Sequence, residues 1–148
     1  MRALIQVVNN ASVEIDNKIY SKIDYGYLIL VGFSKDDDHK VIDKMVDKII
    51  GLRILPDENN KTNLSILDVN GEILSVSQFT LYADTKKGRR PSFVNASGGE
   101  QASNLFDYFN SELNKQVSCV KTGVFGAQMK VKLENNGPFT IYLDSNEL

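Results

Sequence analysis

The sequence predicts an α+β fold: a curved, mostly antiparallel, barrel-like sheet with two main amphipathic helices. Three observations predict it. Short runs of apolar and β-branched residues, separated by Asn, Asp and Gly turn chemistry, recur along the chain and outnumber the helical segments. Two segments repeat their apolar residues at helical spacing. Both helices fall between groups of strands, a pattern of the α+β class.

The first segment reads as four strands, Ala3 to Val8, Ala11 to Ile15, Lys18 to Ile23 and Gly26 to Phe33. Asp16-Asn17 and Asp24-Tyr25-Gly26 supply turn chemistry between them. Tyr27 to Val31 is a continuous apolar run, which predicts a strand buried on both faces. Asp36 to Asp38 then offers an N-cap for a helix reaching about Leu52. Its stripe of Val41, Ile42, Met45, Val46, Ile49 and Ile50 faces a core, and its Lys and Asp residues face water. Arg53 to Leu55 looks extended, Pro56 to Asn63 is a polar loop, and Leu64 to Leu67 reads as a short strand. Asn70-Gly71 is a hairpin turn leading into a central strand from Glu72. Asp84 to Gly99 is long and irregular, a length that in compact domains often signals function. A second helix from Glu100 to Asn114 buries Ala102, Leu105, Phe106, Phe109 and Leu113. Strands near Val117 to Thr122, Gly126 to Leu133 and Phe139 to Leu143 close the chain.

Composition narrows the function. The 148 residues, 42% hydrophobic and 24% charged, fit one soluble domain with a real core. No apolar run approaches a membrane span, and the N-terminus enters a strand pattern at once rather than a signal peptide, so a cytoplasmic location is expected. Cys119 is the only cysteine and reads as a small core residue. The net charge of −2 gives no overall field toward nucleic acid, and no DNA or membrane partner is expected. Yet Lys86, Lys87, Arg89 and Arg90 crowd around Gly88, either as a solvated loop or as a local phosphate contact. His39 is the only histidine and sits in a charged helix start, so neither a Ser-His-Asp triad nor a zinc site is suggested. There is no phosphate-binding or dinucleotide glycine fingerprint. No metal and no cofactor are expected. The remaining tools are hydroxyls, backbone amides and geometry.

Two stretches stand out. Ser77-Gln78-Phe79-Thr80-Leu81-Tyr82 reads as the continuation of the central strand, with Gln78 and Thr80 on the face of Leu74 and Val76. Buried unpaired, such polar groups cost roughly 1–3 kcal/mol each, so they are satisfied in the core, exposed at the strand end, or part of a site. A threonine hydroxyl alone is a weak nucleophile, whereas backbone N–H groups aimed at a developing oxyanion can supply several kcal/mol. Asn135-Asn136-Gly137-Pro138 is either the turn that starts the last strand or a rigid element with outward carbonyls. The sequence does not decide whether the Gly137-Pro138 bond is cis or trans.

Ser77-Gln78-Phe79-Thr80-Leu81-Tyr82-Ala83-Asp84, followed by Lys87-Gly88 and Arg90-Pro91-Ser92-Phe93, resembles the D-aminoacyl-tRNA deacylases. Gly123, Phe125-Gly126-Ala127, Met129, Asn136-Gly137-Pro138 with Thr140, Ala3-Leu4-Ile5-Gln6, Ala11-Ser12-Val13 and Gly71 extend the resemblance in order along the chain. It implies one deacylase-like domain over residues 1–148, hydrolysis of the ester between a D-amino acid or glycine and the 3′-terminal adenosine of tRNA, and a homodimer with each site at the subunit interface. Ser77, Gln78, Phe79 and Thr80 would form the catalytic segment. By the resemblance, the step is assigned either to the Thr80 hydroxyl or to backbone amides with the RNA's own 2′-hydroxyl, and the histidine-poor composition favours the second. Gly137 and Pro138 would match a cis-bonded motif that reaches into the partner's site, receives the amino group and excludes an L side chain. Phe125 and Met129 would line that pocket, and Lys86, Lys87, Arg89 and Arg90 would meet tRNA phosphates.

One position departs from the family pattern. Val7 stands where the family usually carries an arginine that helps orient the Gly-Pro motif. This motivates a related reading, a deacylase of misacylated L-aminoacyl-tRNA. A non-catalytic RNA-binding module built on the basic cluster is a second alternative, and an ordinary barrel domain a third.

Overall fold

A computed structural model describes Met1 to Leu148. Its organising element is β1 (Arg2–Ile15), a single 14-residue strand where the sequence suggested two. The polar Asn9-Asn10 pair does not break the strand, because the irregularity is absorbed as a shift in register against its neighbour. The second half of β1 pairs with β2 (Lys18–Ile23) through a tight turn in which Asp16 and Asn17 take φ of 50° and 61°. The first half pairs with β3 (Gly26–Gly32).

From β3 the chain enters α1 (His39–Gly51), capped by Asp38, whose Oδ1 accepts from the Val41 N–H at 3.0 Å. A minor hairpin follows, β4 (Leu55–Pro56) with β5 (Thr62–Leu64), so the short strand expected at Leu64 to Leu67 lies earlier. Next come β6 (Glu72–Ser77), α2 (Gly99–Asn114) and β7 (Val120–Thr122). The two strands expected at Gly126 to Leu133 and Phe139 to Leu143 are one long β8 (Lys130–Asp144), paired with the free edge of β1.

The main sheet is mixed. Antiparallel pairing dominates, but β6 runs parallel to both β3 and β7. The Ser21 hydroxyl donates to the Thr122 carbonyl at 2.9 Å, joining β2 to β7 so that the sheet nearly closes. Parallel strands require long crossovers, and the two helices ride on them. This explains the unbroken apolar run of β3, which is buried on both faces. Tyr27, Ile29 and Ile73 point to a 22-residue core shared with both helices, while Leu28, Leu74 and Val76 join a cluster of 7 on the opposite face. Each fully buried Ile or Phe there contributes roughly 1.5–3 kcal/mol. Tyr108 of α2 donates to Asp43 of α1 at 2.8 Å and stacks on His39 with ring centroids 3.9 Å apart, so the only histidine is a surface packing residue.

Two further expectations are corrected. Cys119 precedes β7 and is half-buried rather than a core residue. Ser77 to Tyr82 is not one strand: β6 ends at Ser77, and Phe79–Tyr82 forms a 3-10 turn. The ladder stops because β3 itself ends. The Gln78 N–H makes a last bond to the Val31 carbonyl at 2.7 Å, and the Leu81 N–H then turns back to the Gln78 carbonyl at 3.2 Å. Gly32 permits this close passage, since a Cβ there would lie 2.8 Å from the Gln78 oxygen.

Candidate active site

The C-terminal ends of β3 and β6 open into a cavity of about 670 Å³. Such strand ends, beside the start of a helix, are a common location for ligands. Val76, Ser77, Gln78 and Phe79 form one wall, Ser97 to Gly99 and Ala102 at the start of α2 another, and Phe125 to Met129 the third. Ser77, Gln78, Phe79, Phe125 and Met129, all singled out from the sequence, therefore gather on one cavity. Each wall is tied down. The Ser97 N–H donates to the Phe33 carbonyl at 2.8 Å. Phe125 packs against Phe106 of the core, with centroids 6.2 Å apart. The Met129 sulfur accepts from the Val124 N–H at 3.4 Å and fills space that a Cβ at position 123 would enter, at 2.8 Å.

No Asp, Glu, His, Lys or Arg lines the cavity. Nor is any group of three His, Cys, Asp or Glu side chains placed to hold a metal ion. The chemistry available is that of neutral dipoles. The Thr80 side chain stands outside the cavity lining, exposed, and its hydroxyl accepts a hydrogen bond from the Gln78 side-chain amide. That amide is not a base, so no activating group touches Thr80. Phe79 and Thr80 open the 3-10 turn, and the first N–H groups of a helical turn have no acceptor within it. Tyr82 closes the turn; burial pushes its phenol well above the ordinary value, so it is a neutral hydroxyl at working pH.

The irregular stretch after the turn is organised by Asp84 and Ser92, whose backbones exchange hydrogen bonds at 2.7 and 2.9 Å. The loop between them carries Lys86, Lys87, Arg89 and Arg90, all exposed and none in an ion pair. It brings Phe93 onto the cavity, edge-on to Phe79 at 5.0 Å and 69°. Phe79 remains 52% exposed at the cavity mouth.

Gly137 and Pro138 lie elsewhere. They are exposed and do not line this chain's own cavity. Their peptide bond is cis, and Gly137 has φ of 135°. They interrupt the β1–β8 ladder: Gln6 pairs with Thr140 and Val8 with Asn135, so residues 136–139 stand out opposite Val7 alone. Of the two sequence readings of this stretch, the turn that starts a new strand is corrected to an excursion within one continuous strand. The sequence reading missed the start of α2 as a cavity wall, for which Gly98-Gly99 was the available sign, and missed Arg2, which braces the 3-10 turn from behind.

The family described as D-Tyr-tRNA(Tyr) deacylase matches residues 4–144. A D-aminoacyl-tRNA deacylase of Lactobacillus acidophilus is 58% identical over 144 residues, covering 97% of this chain and 99% of the relative. One of Clostridium botulinum is 52% identical over 147 residues, covering 99% of each. Among solved structures, a c-Myc DNA unwinding element binding protein superposes with a TM-score of 0.93 at 40% identity, over 97% of this chain and 98% of the other. A probable eukaryotic D-amino acid tRNA deacylase has a TM-score of 0.86 over 96% of this chain and 97% of the other; at 17% identity it speaks to the fold alone. With the sequence matched from Leu4 to Asp144 and the motif residues of β6 and the Phe125 segment gathered on one cavity, the chain belongs to the D-Tyr-tRNA(Tyr) deacylase family.

Proposed function

We propose that this protein hydrolyses the ester of D-aminoacyl-tRNA, releasing a free D-amino acid and tRNA. The observation that carries the mechanism is the uncharged cavity at Ser77 to Phe79. It has no Asp, Glu, His, Lys or Arg in its lining and meets the 3-10 turn at Phe79, where the first N–H groups have no acceptor within the turn. Water attacks the ester carbonyl, whose oxygen gains negative charge. The N–H groups of Phe79 and Thr80 receive that charge, each such donor contributing roughly 3 kcal/mol. As the tetrahedral centre collapses, the acyl–oxygen bond breaks and the 3′-oxygen of the terminal adenosine leaves. The neighbouring 2′-hydroxyl of the substrate relays the proton lost by the attacking water to that oxygen, so no enzyme base is needed. A volume of about 670 Å³ suits an aminoacyl-adenosine, with Phe93 and Phe79 offering ring surface at its mouth.

Chiral selection falls to Gly137 and Pro138 acting in a homodimer. Their exposure and their absence from their own cavity support a role in a second copy's site. The outer edge of β8 is unpaired in the isolated chain, which leaves backbone groups free for a partner. Glycine, having no side chain, passes the same filter, so Gly-tRNA is a further substrate. Lys86, Lys87, Arg89 and Arg90 meet the tRNA backbone.

The test is a paired assay of the purified, metal-stripped protein on D-Tyr-tRNA and L-Tyr-tRNA. Release of D-tyrosine with the L ester left intact is expected. Equal rates would remove the chiral claim, preferential cleavage of an L ester would favour the L-aminoacyl reading, and RNA binding without cleavage would favour a binding module.

A further inference from the structure

We propose that Asn135 is the positioning residue that sets the direction of the Gly137-Pro138 excursion, and so the D-over-L selectivity. The inference rests on the reading of Gly137-Pro138 as the selective element.

The ladder register states the problem. Between the pairs Gln6–Thr140 and Val8–Asn135, β1 supplies one residue and β8 supplies four. The extra residues cannot all join the ladder, so their backbone groups need other partners. The Asn135 side chain supplies them. Its Oδ1 accepts from the Phe139 N–H at 2.9 Å, and its Nδ2 donates to the Phe139 carbonyl at 3.0 Å. Both backbone groups of Phe139 are thus satisfied by one side-chain amide acting as a substitute strand. The second hydrogen on Nδ2 reaches the Val7 carbonyl at 3.2 Å. Three of the four hydrogen-bonding positions of the amide are used, and they join both feet of the excursion to β1.

The contact on β1 is with the backbone of residue 7, not its side chain. Val7 is buried in the main core, and Phe139 packs against the same cluster. An arginine is therefore not needed at position 7 to hold the feet of the loop together: Asn135 does so through a carbonyl that any residue provides. Asn136 adds a lesser tie, its Nδ2 donating to Asn9 Oδ1 at 3.1 Å on the exposed side.

Only an amide fits this position. Asn135→Asp keeps the shape and the Phe139 N–H bond, but a carboxylate has no hydrogens for the two carbonyls and repels both. Asn135→Ser is too short to span both Phe139 groups. The excursion then swings about its feet, and a clamp that discriminates by steric fit loses its reference direction.

The experiment measures deacylation of D-Tyr-tRNA and L-Tyr-tRNA by the wild type, Asn135→Asp, Asn135→Ser and Pro138→Ala, with thermal unfolding of each. The proposal expects the D-over-L ratio to fall about tenfold or more in both Asn135 variants, in protein that still unfolds cooperatively. If Asn135→Asp does not fold, Asn135→Ser decides. A lowered ratio in Pro138→Ala with an unchanged ratio in the folded Asn135 variants overturns the role of Asn135 and leaves the function of Gly137-Pro138 standing. An unchanged ratio in all of them overturns the selective role of Gly137-Pro138, and this inference with it.

Discussion

Arg2 and Leu81 are joined across the fold: the Arg2 guanidinium donates from Nη1 to the Leu81 carbonyl at 2.8 Å. The same group donates from Nε to Asp144 Oδ2 at 2.8 Å and lies 4.4 Å over the Tyr82 ring. One side chain thus holds the start of β1, the end of β8 and the 3-10 turn Phe79–Tyr82. Lysine cannot reproduce this fork. Arg2→Lys should cost roughly 1–2 kcal/mol in urea unfolding and lower kcat more than it raises KM. A variant of full kcat would mean that the turn is set by its own hydrogen bonds.

Asp144 gives the same brace a pH dependence. Burial opposes its ionisation, but the Asn146 N–H and Arg2 outweigh this and hold its carboxyl below the ordinary range. A depressed carboxylate stabilises the fold above the unfolded-state value of about 3.9, and that stability is lost as pH falls through the lower folded value. Acid unfolding should therefore be shallower below about pH 4 in Asp144→Asn than in the wild type. Parallel acid curves would show that other carboxylates carry the transition.

Thr80→Ala separates two chemistries. The hydroxyl's hydrogen-bond partner is the Gln78 amide, which cannot take its proton. Activity should stay within about tenfold of wild type, because the backbone N–H of residue 80 survives the substitution. A loss of about four orders or more would identify the hydroxyl as the nucleophile. D-Tyr-tRNA ending in 2′-deoxyadenosine should instead be cleaved far more slowly than the natural substrate.

The basic loop should act on affinity alone. Replacing Lys86, Lys87, Arg89 and Arg90 with Ser leaves the cavity lining untouched, since none of them borders it. The slope of log K against log salt for tRNA binding should fall by about three, at roughly 0.7–0.9 for each phosphate no longer neutralised, with kcat at saturation unchanged. An unchanged slope would return the cluster to a solvated loop.

What the sequence made legible follows from local physics. β2 and α1 announced themselves through Asp16-Asn17, Asp38 and a regular apolar stripe, because turns, caps and amphipathic faces are set by neighbours in the chain. The turn at Phe79–Tyr82 was not legible: a short apolar-polar run suits a strand equally well, and the decision comes from β3 ending at Gly32, far earlier in the chain. The continuity of β8 through Gly137-Pro138 was hidden for the same reason. Turn chemistry is a local signal, whereas pairing with β1 on both sides is not. The cavity residues were found through motif resemblance; their convergence needed the parallel crossovers that bring Ser77, Ala102 and Phe125 together.

The buried ammonium of Met1 offers a test of the fold apart from the site. It is fully buried, pairs with Asp37 Oδ1 at 2.5 Å and donates to Ser145 Oγ at 2.6 Å. Asp37, with its side chain only 5% exposed, also accepts from the Ser34 N–H at 2.6 Å through its other oxygen. The carboxylate therefore fastens the first residue to the loop before α1. Asp37→Ala leaves a buried charge without a counter-ion and a backbone donor without an acceptor, and should cost about 3–5 kcal/mol in urea unfolding. Ser145→Ala removes only a neutral acceptor and should cost about 1 kcal/mol. Near-equal losses in the two variants would mean that water reaches the ammonium and replaces Asp37, and that the pair does not organise this corner of the fold.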